Sequence, residues 1–207
     1  MIGQVFGNYR IEREIGEGGM SHVYVGRTLA ATEALPAGFE VVLKVMSEEL
    51  AGEVTARKRF VKEAQILSKL RHRYITRFYE FLNDARSAVL VMEFVEGDNL
   101  RNILSIRKKL EPDEGLRMME ECANGLAYAW SKGLTHRDIK PTNILVSTDK
   151  TTKLVDFGLA EMSAQTTMNT AAMEIGRSSD KDEDIAIDRT LDYAGLEKAT
   201  LVSKGDI

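Results

Sequence analysis

Apolar and polar positions alternate along the first third of the chain with the period of two that a half-buried strand requires. In "YRIEREIG" the apolar positions are Tyr9, Ile11 and then Ile15, and in "SHVYVGRTL" they include Val23 and Val25. Between them, "GEGGM" is too rich in glycine for either strand or helix and predicts a turn. A loop carrying Pro36 and Gly38 leads into "VVLKVM", a short β-branched run with a lysine at its centre. Over 53–70 the period becomes helical. Phe60, Ala64 and Leu67 fall at i, i+4 and i+7, and so do Glu63, Leu67 and Leu70, which sets Glu63 on a stripe shared with leucines. Two more strands are predicted over 78–82 and 88–94, and "EGDN" at 96–99 breaks the run.

From there the pattern is mainly helical. "PDEGLRMMEECANGLAYAWSKG" has Pro112 placed for a first helical turn and Gly133 for a C-terminal stop. Leu116, Met119, Ala123, Leu126 and Trp130 recur every three or four residues and predict one buried face, with Cys122 beside it as a packed thiol. After "LTHRDIKPTNIL" a strand pair is predicted: "NILV", the polar turn "STDKT", then "KLVDFG". Beyond Gly158 the chain becomes rich in Thr, Ser, Ala and acids. Asp180, Asp182, Glu183 and Asp184 crowd together without a core-forming period, which predicts a long mobile loop.

Composition narrows the partners. With 207 residues, 43% of them hydrophobic and 29% charged, the chain can bury a core as one domain or two small lobes. A net charge of −4 gives no electrostatic case for nucleic acid or a membrane surface. The single cysteine excludes an internal disulfide and fits a reducing compartment. No apolar run approaches the roughly 20 residues of a spanning helix, and the N-terminus does not read as a signal peptide, so the cytoplasm is the expected location.

Three features carry chemistry. In "IGEGGMSHVYVG", Gly16, Gly18 and Gly19 allow backbone N–H groups to approach an anion, because no Cβ intervenes; a tight turn explains the same glycines, and the ending of a Walker loop is absent. Lys44, inside an apolar strand, must meet an anion or snorkel to water, and Glu63 is the candidate partner. In "THRDIKPTN", Asp138 can orient a hydroxyl and accept its proton, Lys140 can neutralise a phosphoryl oxygen, and Asn143 can offer oxygen to a hard cation; Asp156 in "VDFG" adds a charged oxygen ligand. Singly each is an ordinary polar loop residue. Together they are the components of in-line phosphoryl transfer.

These stretches, in this order, resemble the protein kinase family: "GEGGMS", "VLKV", "RFVKEA", "VMEFVEG", "HRDIKPTN" and "DFG". They are most similar to bacterial-type serine/threonine kinases, and Lys140-Pro141 argues against the tyrosine branch. The resemblance covers about residues 8–160, with a weaker tail to about 200. It implies an α+β, bilobal fold with a β-rich N-lobe (1–95) holding one main helix, the start of a mainly helical C-lobe (96–160), and a long acidic activation segment (161–207). It implies ATP and Mg2+ as cofactors and a protein Ser/Thr hydroxyl as acceptor. Ile15, Gly16, Glu17, Gly18 and Gly19 would cover the phosphates, with Ser21 standing where the family has a third glycine. Val23 would pack on adenine and Leu145 would lie under it, with Met92 as gatekeeper and Glu93 and Val95 as hinge backbone. Lys44, paired to Glu63, would hold the α- and β-phosphates. Asp138 would be the catalytic base and Lys140 the γ-phosphate cation, with Asn143 and Asp156 as metal ligands. Arg137 marks the subclass commonly switched on by activation-loop phosphorylation, so self-phosphorylation is expected among Thr166, Thr167, Thr170, Ser178 and Ser179.

The pattern departs from the family near its end. The closing motif of the activation segment is matched by "TLDYAGLE", with Leu196 where proline is usual, and Thr190 aligns with a threonine that contacts the catalytic Asp and Lys. The family's further C-lobe helices do not follow Ile207, so a fragment of a longer domain is expected, with the 116–130 apolar stripe short of cover. A catalytically weak nucleotide-binding or scaffold module is the alternative reading. A small-molecule kinase of related fold is a third, disfavoured by Lys140.

Overall fold

The computed structural model describes residues 1–157, apart from 19, 48, 49, 51, 52, 85 and 86, together with the backbone of a strand at Glu161–Met162. The expectations for Gly19, for Thr190 and for the Thr- and Ser-rich segment lie outside the described residues. Six strands form one antiparallel sheet: β1 (Val5–Phe6), β2 (Tyr9–Gly18), β3 (Ser21–Thr28), β4 (Glu40–Met46), β5 (Phe78–Asn83) and β6 (Ala88–Glu93), in the order β1-β2-β3-β4-β6-β5. Helix α1 (Val54–Leu67) lies between β4 and β5 in the chain.

The alternation along β4 assigns the two faces of the sheet. Val41, Leu43 and Val45 join Tyr9, Ile11, Tyr24, Val89 and Val91 in one core. Met46, and Leu90 from β6, face the other way and pack with Phe60, Ala64 and Leu67 of α1. Lys44 is out of step with the first set, so it stands on the α1 side. This second core runs on into the following half of the chain through Ile75, Leu134, Leu154 and Phe157. Backbone bonds reinforce it: Thr76 N donates to Leu154 O (3.0 Å) and Leu154 N to Tyr74 O (2.8 Å).

The second lobe begins with a short strand, β7 (Gly97–Asn99), and helix α2 (Leu100–Arg107). Asn99 caps α2 by accepting from Asn102 N at 2.9 Å, and Lys108, at φ 66°, ends it. Helix α3 (Pro112–Ser131) has Pro112 in its first turn with Asp113 and Glu114, and Gly133 at φ 73° follows it, as the sequence predicts. Next come β8 (Leu134–Thr135), a 3-10 turn at Pro141–Asn143, β9 (Ile144–Ser147) and β10 (Thr152–Leu154). The last two pair antiparallel as expected, and β7 joins them on the far side of β9. Strand β11 (Glu161–Met162) pairs with β8. Among the described residues no helix is long and apolar enough to cross a membrane.

Three sequence expectations change. "GEGGM" is not all turn: Gly16, Glu17 and Gly18 pair with Val23, His22 and Ser21, because a glycine costs a strand entropy but takes no bond from the ladder. "EGDN" carries β7, because the chain lies tight against β9 there. In α3 the buried residues are Met118, Gly125 and Ala129, whereas Leu116, Met119 and Trp130 are 65%, 70% and 60% exposed. The helix carries apolar residues on two stripes, and only the one through Gly125 meets β10 and the 72–76 loop, where Leu154 and Tyr74 leave no room for a larger side chain. Cys122 sits at the edge of that buried stripe, and burial, helped by Glu121, pushes its thiol up to about 11, which suits a packed, unreactive group.

The close approach at β7 is testable. A Cβ on Gly97 would collide with Val146 O, whereas one on Gly115 in α3 would meet nothing within 4 Å. Gly97→Ala is expected to lower the unfolding free energy in urea by roughly 1–3 kcal/mol. Gly115→Ala should raise it by about 1 kcal/mol, the helix propensity difference.

Candidate active site

The register of the main sheet places the first site residues side by side. Gly16 lies opposite Val23, Val23 opposite Lys44, and Lys44 opposite Leu90. Directly opposed residues share a face, so Val23 and Lys44 both look toward α1 and the second lobe, as does Met92 two residues beyond Leu90. Ile15 is exposed at the lip of the sheet, and Leu145 on β9 is half-buried between Asn99 and Lys153. Arg13 lies over the ring of Phe94 at 5.3 Å, joining β2 to the segment after β6 that includes Val95.

Lys44 Nζ binds both oxygens of Glu63, at 2.8 and 3.1 Å, and also Oδ1 of Asp156 at 3.1 Å. The helical stripe holds Glu63 under the sheet at 7% side-chain exposure, against 17% for Lys44 and 45% for Asp156. Burial disfavours the ammonium, but the charges of Glu63 and Asp156 outweigh it and hold the Lys44 pKa above its ordinary value. The lysine is therefore a fixed cation whose two anionic partners come from chain segments more than ninety residues apart.

The loop after β8 supplies the rest. Lys140 Nζ lies 2.8 Å from Asp138 Oδ2. Asn143 is buried, and its Nδ2 donates to both Oδ2 (3.0 Å) and the backbone oxygen (2.9 Å) of Asp138. Asn143 O accepts from Val155 N at 3.1 Å, which ties the loop to the residue just before Asp156. Arg137 and Asp156 both take left-handed backbone, at φ 66° and 63°. Such a conformation costs a non-glycine residue about 1–2 kcal/mol and persists where the surroundings impose it.

Two residues that sequence reasoning left without a role do the imposing. His136 is 1% exposed; its Nδ1 accepts from Asp138 N at 3.3 Å, so Nε2 carries the proton and donates to Val155 O at 3.0 Å. Its ring packs on the fully buried Phe157 with centroids 4.4 Å apart. The available signal was a histidine and a phenylalanine each adjoining a charged site residue. Lys44 thus joins Glu63 to Asp156, while Asn143 joins Asp138, itself paired with Lys140, to Val155, the residue just before Asp156.

The model for the protein kinase domain matches residues 9–176 of this chain. The chain belongs to the protein kinase domain family. This chain is 35% identical over 159 residues to the serine/threonine-protein kinase pkn2 of Myxococcus xanthus, covering 75% of this chain and 18% of that protein. It is 34% identical to PrkC of Bacillus subtilis over 169 residues (81% of this chain, 25% of PrkC) and 34% identical to PknL of Mycobacterium tuberculosis over 171 (83% and 41%). It spans between 18% and 41% of the length of these relatives. The bilobal fold expected from the motifs is therefore the family's own.

The buried ion pair gives the chain a stability signature. Lys44→Met strands the Glu63 carboxylate and is expected to cost roughly 3 kcal/mol in urea unfolding, while the Lys44→Met/Glu63→Leu double variant recovers most of it. Because the folded Lys44 pKa is raised, its stabilisation is complete below about 10.5 and is lost as pH rises through the higher folded value. On the alkaline side the wild-type lead over Lys44→Met should shrink above that pH.

Proposed function

We propose that this chain is the nucleotide-binding and catalytic part of a serine/threonine protein kinase, using ATP and Mg2+ to phosphorylate a protein Ser or Thr hydroxyl. The observation that carries the proposal is that Lys44 binds Asp156, and Asn143 binds both Asp138 and the N–H of Val155, the residue just before Asp156. Two cations, two carboxylates and an amide converge there, and phosphoryl transfer requires those charges in one place.

The donor set fits the metal. Mg2+ takes oxygen ligands, keeps several waters and needs only one or two carboxylates beside the phosphates. Asn143 and Asp156 offer oxygen alone, and Asn143 is oriented through its nitrogen, with its amide oxygen left for a cation. When bound, Mg2+ neutralises charge on the phosphate oxygens. The chain's own residues do the positioning. Lys44, kept straight by Glu63, would hold the α- and β-phosphates, and Gly16, Glu17 and Gly18 would lie over them. Val23, Met92 and Leu145 would enclose the base, beside the backbone of Glu93 and Val95. Asp138, held by Asn143, would orient the acceptor hydroxyl and take its proton, and Lys140 would stabilise the oxygens of the transferring group. In this reading residues 1–95 are the N-lobe, 96–160 begin the C-lobe and 161–207 form the activation segment, where self-phosphorylation falls.

The exposed α3 stripe of Leu116, Met119 and Trp130 favours a second reading, a nucleotide-binding or scaffold module whose chemistry is weak. One assay separates the two. Purified chain should transfer labelled phosphate from ATP to itself or to a protein substrate, and Asp138→Asn should lower the rate by about 10²–10³-fold or more while ATP affinity stays within a few-fold. Equal background from both proteins with ATP still bound would favour the module. Asp156→Asn should also shift the Mg2+ requirement to higher concentration.

A further inference from the structure

Behind the strand that leads into the hinge lies a cavity of about 340 Å3 that contains none of Lys44, Glu63, Asp138, Asn143 or Asp156. Its charged lining is Arg71, Arg73, Arg77 and Lys153 against the single carboxylate of Glu93, in a chain whose net charge is −4. That carboxylate is already used: both its oxygens meet Lys153 Nζ, at 2.9 and 3.0 Å, and it also accepts from Arg77 N at 3.0 Å. The three arginines have no carboxylate partner among the described residues.

The site is arranged in advance. Arg73 lies over the ring of Tyr74 at 4.8 Å and Arg77 over Tyr79 at 5.5 Å, so each guanidinium is steered without its charge being cancelled. The backbone is pinned as well: Arg71 N donates to Tyr128 Oη (3.1 Å), and Glu93 N to Arg77 O (2.8 Å). His72 stacks on Tyr128 with centroids 4.9 Å apart, and burial, with a smaller contribution from the Arg73 charge, lowers its pKa. Guanidinium groups match tetrahedral oxyanions by paired N–H donation, and a space this size admits one side chain or small anion but not a helix or duplex.

We propose that this cavity binds a phosphoryl dianion, either free or carried on a phosphoserine or phosphothreonine side chain. Occupancy would be felt at the hinge, because Glu93 contributes its side chain to the cavity and its backbone to the strand beside Met92. The site is independent of the phosphotransfer chemistry and would stand if that failed.

The test is amide chemical-shift mapping of the full 207-residue chain at low ionic strength, without nucleotide or Mg2+. The probes are inorganic phosphate, a phosphothreonine hexapeptide and the same peptide unphosphorylated. Saturable shifts over residues 71–79 with either phosphorylated probe are expected, with little from the unmodified peptide; which of the two binds more tightly identifies the source. Arg73→Gln/Arg77→Gln should weaken binding at least about tenfold with an unchanged far-UV spectrum and melting temperature. Arg73→Lys/Arg77→Lys, which keeps charge but not the fork, should recover part of it. Shifts confined to residues 138–156, equal response to the unphosphorylated peptide, or undiminished binding by the folded glutamine variant would each overturn the proposal.

Discussion

A lysine in the middle of a β-strand is the constraint on which the rest depends. Lys44 sits in a sheet whose alternate positions are Val, Leu and Val, and its ammonium is largely withdrawn from water. That charge is tolerable only if anions come to it. Glu63 arrives from α1 and Asp156 from the end of β10, so one desolvated cation dictates both where the helix docks and how the second lobe meets the sheet. The apolar core supplies most of the burial, and the ion pairs set its register. Phe60, Ala64 and Leu67 fix the helix face that carries Glu63, and Leu154 and Phe157 fix the segment that carries Asp156.

From there the second lobe is organised backwards from Asp156. The residue before it, Val155, is held by Asn143 at its N–H and by His136 at its carbonyl, Phe157 packs on His136, and the same Asn143 orients Asp138. Structural and chemical roles are not separable here. The groups that make the loops rigid are those that aim the carboxylates, which is why left-handed residues persist at Arg137 and Asp156 rather than relaxing.

Much of this was legible in the sequence because the relevant signals are local. Period-two alternation gave the strands, and a glutamate on a leucine stripe pointed to a partner for a buried lysine. The spacing of Asp138, Lys140 and Asn143 pointed to one loop. Less legible were features set by distant packing. The α3 helix carries two apolar stripes of similar strength, and only the position of β10 decides that Met118, Gly125 and Ala129 are the buried set. Gly16 and Gly18 read as turn because composition does not reveal a ladder partner, yet they pair with β3. The role of His136 depends on Val155, nineteen positions away. The grouping of Arg71, Arg73 and Arg77 with Lys153 is likewise set by packing, because Lys153 comes from a segment some eighty residues away.

Paramagnetic relaxation with Mn2+ and a non-hydrolysable ATP analogue tests the convergence most directly. If Lys44, Asn143 and Asp156 surround one metal-bound triphosphate, Mn2+ with the analogue will selectively broaden amides around residues 16–18, 44, 143 and 156. Asp156→Asn will weaken the effect. Broadening centred elsewhere, or affecting the Lys44 strand without the Asn143 and Asp156 loops, would contradict a single shared site.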